Sequence, residues 1–170
     1  LGDMGCHVID PATWSLEIGP PKQVSAKVNG AAEETYPNSS VVTYQFAGTR
    51  YTTDEFTLIW YDGGEGPASE ELAAIRKECG IGSGTVFVGE KGMMACRHGY
   101  TIPRLYPKEK FLDYSRTTLK QMYQAFADEK WDHYQMWTDA ILAGKPGNSH
   151  FGYAGPLNET VMVGTVAQRL

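Results

Sequence analysis

The chain has 170 residues, 42% of them hydrophobic and 21% charged, with a formal net charge of -5 at pH 7. This is the balance of a soluble globular domain, long enough to bury a core without disulfide or metal staples. Interspersed acids and bases with an acidic excess argue against a nucleic-acid-binding surface, and no apolar run reaches the ~20 residues of a membrane span.

The first segment, Asp3 to Leu16, reads as helical with a break at Pro11, whose ring and missing N–H disturb the turn below it. The spacing predicts either a kink or a restart with Asp10 as N-cap and Pro11 at the first helical position. Gly19-Pro20-Pro21 is expected to end it. Gln23–Asn29 alternates apolar and polar, the pattern of a half-buried strand. Ser40–Phe46 and Glu55–Tyr61 are rich in β-branched and aromatic residues and read as further strands. Ser69 followed by acids predicts a helix to Lys77. Thr85–Val88 and Met93–Arg97 form a hairpin around Glu90-Lys91-Gly92, and Thr101–Leu105 is a further short strand. Phe111–Asp128 is read as helical turns. Trp131–Ala143 is an amphipathic helix with Tyr134, Trp137, Ala140 and Ile141 on one side, capped by Gly144 with Pro146 beyond. Leu157–Leu170 is a final helix, apolar at Val161, Val163, Val166 and Ala167.

This order predicts a single α+β domain over residues 1–170. The expected architecture is a large open, mainly antiparallel mixed sheet with helices packed on one face. The open face is expected to be covered by a second domain or a second subunit.

Three cysteines, Cys6, Cys79 and Cys96, form no C-x-x-C pair, so neither a disulfide framework nor a zinc site is expected. The sharpest constellation is Asp3, His7 and Asp10, which stack on one side of a helix at i, i+4 and i+7. A carboxylate beside an imidazole orients the ring and favours its protonated form, and the pair can take and return a proton. Gly2 and Gly5 leave room there for a close approach by substrate or cofactor. The bland alternative is a surface ion pair, or an aspartate capping the helix at Pro11. A second cluster is Arg97, His98, Tyr100 and Arg104, suited to hydroxyls or an anionic substituent, or else a solvated loop. Trp60 and Tyr61 end a strand, where they stack on a sugar ring or simply pack. His150 is a further candidate in a glycine-flanked loop. Gly80, Gly82 and Gly84 do not make a dinucleotide fingerprint, because the spacing is wrong and a strand follows them.

The run Asp3-Met4-Gly5-Cys6-His7-Val8-Ile9-Asp10 resembles the D-x-G-x-H-x-x-D motif of the Gfo/Idh/MocA oxidoreductases. Trp60-Tyr61-Asp62-Gly63-Gly64 resembles the W-Y-D-G-G segment of a bacterial branch of that family. The stretches from His133 to Trp137, from Gly144 to Pro146 and from Phe151 to Glu159 are similar to its closing region. The resemblance implies the substrate-side, C-terminal domain of an enzyme whose N-terminal Rossmann domain holds NAD or NADP. It implies catalytic positions at Asp3 and His7, with Trp60, Tyr61, Arg97, His98, Tyr100 and His150 as candidate substrate readers. The substrate would be a sugar or cyclitol oxidised at a secondary hydroxyl, and the sheet face would form a homo-oligomer. The family's catalytic lysine and nucleotide fingerprint lie outside this chain, so the chain alone is expected to be inactive. The resemblance leaves bacterial cytoplasm and periplasm open. Two alternatives stand: cleavage of glycosides by transient oxidation and elimination, and a non-catalytic oligomerisation module.

Overall fold

The computed structural model describes residues 1–30, 34–78, 80–99, 102–128 and 132–170. Cys79, Tyr100, Thr101 and Trp131 lie outside them. The chain packs as two compact units, Leu1–Ala73 with Gly155–Leu170, and Ala74–Ala154. The class is α+β, and every strand pairing among the described residues is antiparallel.

In the first unit, α1 (Gly5–Val8) and α2 (Asp10–Leu16) precede β1 (Gln23–Asn29), β2 (Ser39–Ala47) and β3 (Glu55–Asp62). The strands form a sheet in the order β1-β2-β3. Alternation decides its faces. Val42, Tyr44 and Phe46 of β2 are buried, while Gln45 and Ala47 are exposed. Val24, Ala26, Phe56, Leu58 and Trp60 sit across from them on the same face and pack against them. The Phe46 ring stacks on Phe56 with centroids 5.1 Å apart.

That face is covered by the ends of the chain. α7 (Phe151–Ala167) buries Leu157, Thr160, Val161, Gly164 and Thr165, with Gln168 just beyond it. These positions follow the 3.6-residue helical period. The helix begins six residues before the expected Leu157 and runs through Pro156, which removes one backbone bond near its start. Its buried side also differs from the expected one. Val166 is 55% exposed, while Thr160 and Gln168 are buried. Their polar groups are satisfied: Thr160 Oγ1 donates to the Pro156 carbonyl at 3.1 Å, and Gln168 Nε2 donates to Ser40 Oγ at 2.6 Å.

Two expectations at the start of the chain are corrected. The helix does restart at Pro11, but Ile9 occupies the N-cap position and Asp10 is already helical, with no side-chain cap. The helix ends at Glu17, in the left-handed region at φ 53°, before Gly19 is reached. Glu17 there pairs with Arg50.

In the second unit, β4 (Gly84–Gly89) and β5 (Gly92–Arg97) form the expected hairpin, closed by Glu90-Lys91. β6 (Arg104–Tyr106) adds a short third strand beside β5. Met93 and Ala95 are buried on one face. α4 (Leu112–Tyr114) continues through a π-helical turn, Ser115–Leu119, into α5 (Lys120–Asp128). α6 (His133–Leu142) has the expected Gly144 stop, with a positive φ of 62°. Gly144 N–H donates to the Ile141 carbonyl and Lys145 N–H to that of Ala140, which completes a Schellman cap. The apolar side expected for α6 is solvent-facing, with Tyr134 at 72% and Trp137 at 63% exposure.

The strands therefore build two three-stranded antiparallel sheets in place of one large open mixed sheet. After β3 the chain leaves the first sheet through Gly63 and Gly64, at φ 69° and 91°, and α3 (Glu70–Glu78) follows. α3 starts as expected, with Ser69 Oγ accepting from the Leu72 N–H at 3.4 Å. No described helix is long and apolar enough to cross a membrane.

Candidate functional site

The motif at the start of the chain sorts into two sides of one helical path. Gly5 and Ile9 are buried; Asp3 and His7, each two residues earlier along the path, are exposed. A Cβ on Gly5 would stand 2.9 Å from Val161 Cγ1, so the close approach that Gly5 permits is to α7. Gly2 is less crowded: a Cβ there would stand 3.8 Å from Thr165 Cγ2. The backbone around Asp3 is tied down by Gly5 N–H donating to the Leu1 carbonyl at 2.7 Å and Val8 N–H to that of Met4 at 3.0 Å. Cys6 Sγ donates to the Asp3 carbonyl at 3.6 Å. The arrangement presents a carboxylate and an imidazole one turn apart at the surface, from a turn anchored on its other side. Asp10 is half-buried at the head of α2.

Trp60 and Tyr61 alternate across β3. Trp60 faces inward and packs against both hydrophobic clusters of the first unit. Its Nε1–H donates to Asp62 Oδ2 at 3.0 Å. Burial pushes the Asp62 carboxyl up, and the Trp60 N–H pulls it back down. Gly63 closes this corner: a side chain there would meet Ser39 Cα at 2.5 Å. The Trp60-Tyr61-Asp62-Gly63 segment thus has local structural work at three of its positions. Tyr61 points to the other face, opposite Val41, and is half-buried.

In the second unit, Arg97 and Arg104 line one cavity of about 460 Å³, together with Ile102, Pro103, Ser115, Leu119 and Tyr123. His98 is exposed and holds the end of the hairpin through its backbone N–H, which donates to the Ser83 carbonyl at 2.9 Å. It does not line the cavity. His150 is exposed at the entry to α7, where its carbonyl accepts from the N–H groups of Tyr153 and Ala154. Ser115, Leu119 and Tyr123 were not among the residues the sequence singled out. Their spacing of four along a helical stretch is the signal that could have grouped them.

Cys6 and Cys96 are free and half-buried, and burial pushes the Cys96 thiol up. Among the described residues, no three His, Cys, Asp or Glu side chains gather as a metal-ligand group.

The fold and these sites define an α+β protein with an exposed Asp–His turn in one unit and an arginine-lined cavity in the other. No family model matches the chain, and no curated protein matches it.

Proposed function

We propose that this chain is the substrate-side domain of an NAD(P)-dependent oxidoreductase of the Gfo/Idh/MocA type. Its substrate would be a secondary hydroxyl of a sugar or cyclitol. The observation that carries the reading is the sorting of the D-x-G-x-H-x-x-D run: Gly5 and Ile9 anchor the turn, and Asp3 and His7 face out from it. A general base needs access to its proton and a fixed position, and an anchored exposed turn supplies both. In this reading His7 takes the hydroxyl proton and returns it in the reverse direction, and Asp3 orients the ring or holds a neighbouring hydroxyl.

The chain's own residues do not fit a dinucleotide. All described strand pairings are antiparallel, so among the described residues no βαβ turn exists to cradle a diphosphate, and Gly82 and Gly84 lead into a strand. In this reading a separate Rossmann domain binds the nucleotide. Tyr61 remains a candidate substrate contact in this reading, while Trp60 contributes through packing. The outer face of the first sheet, with Ile59 43% exposed beside half-buried Val41 and Tyr61, is the proposed oligomer face.

The test is turnover by the enzyme that joins this domain to its Rossmann partner, using a panel of sugars, inositols and glycosides. His7→Ala is expected to lower kcat by ~10²-fold or more with substrate binding retained, the usual loss for a proton-transfer group. An unchanged kcat would remove His7 from the chemistry and leave a scaffold. Release of free sugar from a glycoside without net NADH would reassign the reaction to oxidation and elimination. The chain alone is expected to show no NAD(P)-dependent oxidation.

A further inference from the structure

The second unit holds a feature that the dehydrogenase reading does not use. Arg104 pairs directly with Ala95 across β5 and β6, and Arg97 lies two residues further along β5. Residues two apart on a strand share a face, so Arg97 and Arg104 are diagonal neighbours, ~7–8 Å apart by ordinary antiparallel geometry. They share the face on which Met93 and Ala95 are buried. Two cations of fixed charge stand side by side there, and among the described residues neither guanidinium is in an ion pair. Both line the same partly open recess of about 460 Å³.

The rest of the lining is sorted in the same sense. Ser115 and Leu119 come from the π-helical turn and Tyr123 from α5. Such turns recur at functional sites because they displace side chains from the α-helical phase. Ser115 and Tyr123 bring hydroxyls that can donate, while Ile102 and Leu119 bring apolar surface. Among the described residues, no acidic side chain lines the cavity.

We propose that this cavity is a binding site for a small organic oxyanion of about monosaccharide size, a carboxylate or a phosphate ester. The two guanidinium forks engage the anionic group, the Ser115 and Tyr123 hydroxyls engage polar groups of the body, and its carbon skeleton lies against Leu119 and Ile102. Arginine suits this task because its planar fork matches carboxylate and phosphate oxygens in pairs. The proposal stands apart from the assignment of Asp3 and His7, which lie in the other unit.

Calorimetric titration of the 170-residue chain with gluconate, glucose 6-phosphate, inorganic phosphate and neutral glucose tests it. Saturable one-to-one binding is expected for gluconate or glucose 6-phosphate, with glucose at least about tenfold weaker, the loss that follows when charge-assisted bonds are missing. Preference between the two anionic sugars identifies the carboxylate or the phosphate as the natural group. Binding of inorganic phosphate equal to that of glucose 6-phosphate would overturn the assigned role of the cavity wall. Arg97→Gln with Arg104→Gln is expected to weaken the preferred anion by about tenfold or more. Both arginines are exposed, so the melting temperature should not move. The paired lysine variant should lose less. Absence of saturable anion binding, or unchanged affinity in the double glutamine variant, overturns the proposal.

Discussion

The Tyr44 hydroxyl is buried without a hydrogen-bond partner among the described residues, and burial pushes its phenol well above the ordinary range. It lies where a side chain on Gly164 would have to go. A buried hydroxyl without a partner costs ~1–3 kcal/mol of desolvation, yet the ring fills the centre of the sheet face and stacks toward Phe46 at 6.2 Å. Tyr44→Phe is therefore expected to keep the ring and gain about 1 kcal/mol in urea unfolding. Gly164→Ala is expected to lose ~1–3 kcal/mol, because a methyl there drives into the Tyr44 ring edge and neither the strand nor the helix can retreat freely. Combined with Tyr44→Phe, part of that loss should be recovered, since the nearest clashing atom is gone; strict additivity in the double-mutant cycle would show that the two residues do not meet. Stability in Tyr44→Phe falling by more than about 1 kcal/mol would mean that the hydroxyl is satisfied in solution.

α6 is the element in which local signals act with least tertiary help, because Tyr134, Trp137 and Ile141 are all exposed. Its stability rests on its ends. Asp132 accepts from the N–H groups of Tyr134 at 2.9 Å and Gln135 at 3.2 Å, and Gly144 closes the other end. Asp132→Ala is expected to cost about 1 kcal/mol locally and to raise amide exchange in the first turn of α6, leaving the β4–β5 hairpin unchanged. Equal protection in the variant would show that the cap is not limiting. The same contrast between local and tertiary control explains what could be read in advance. β1, β2, β3 and the hairpin were legible because alternation and β-branched content act residue by residue. Arg97 with Arg104 was legible as a cluster. The buried side of α7 was not, because Thr160, Thr165 and Gln168 look solvent-facing until Ser40 and the helix's own carbonyls are known to receive them. The cavity wall at Ser115, Leu119 and Tyr123 was also hidden, since a spacing of four groups residues on one helix face without saying what that face meets. The split into two sheets was not legible, because alternation marks each strand without saying which strand it pairs with.

The first unit takes its residues from both ends of the chain, Leu1–Ala73 and Gly155–Leu170. Its sheet has one covered face, and α7 supplies much of the cover. Leu157 and Val161 pack with Ile9, Gly164 sits on Tyr44, and Gln168 reaches Ser40. Burial of Leu157 and Val161 alone is worth ~1.5–3 kcal/mol each, a large share of the ~5–15 kcal/mol that holds an ordinary domain together. The turn that carries Asp3 and His7 depends on the same helix, because Gly5 and Ile9 rest against it. A chain ending at residue 154 is therefore expected to lose the first unit's cooperative unfolding. Amide protection should fall at Val42, Tyr44 and Phe46, and also from Gly5 to Ile9, in hydrogen exchange read by mass spectrometry. Protection in the Met93–Ala95 strand is the internal control, since those residues pack in the second unit. Loss in both places would mean that the two units unfold as one. Loss confined to the first would establish α7 as the element that closes its core and fixes the exposed Asp3–His7 turn, and full protection throughout would show that β1–β3 and α2 suffice without it.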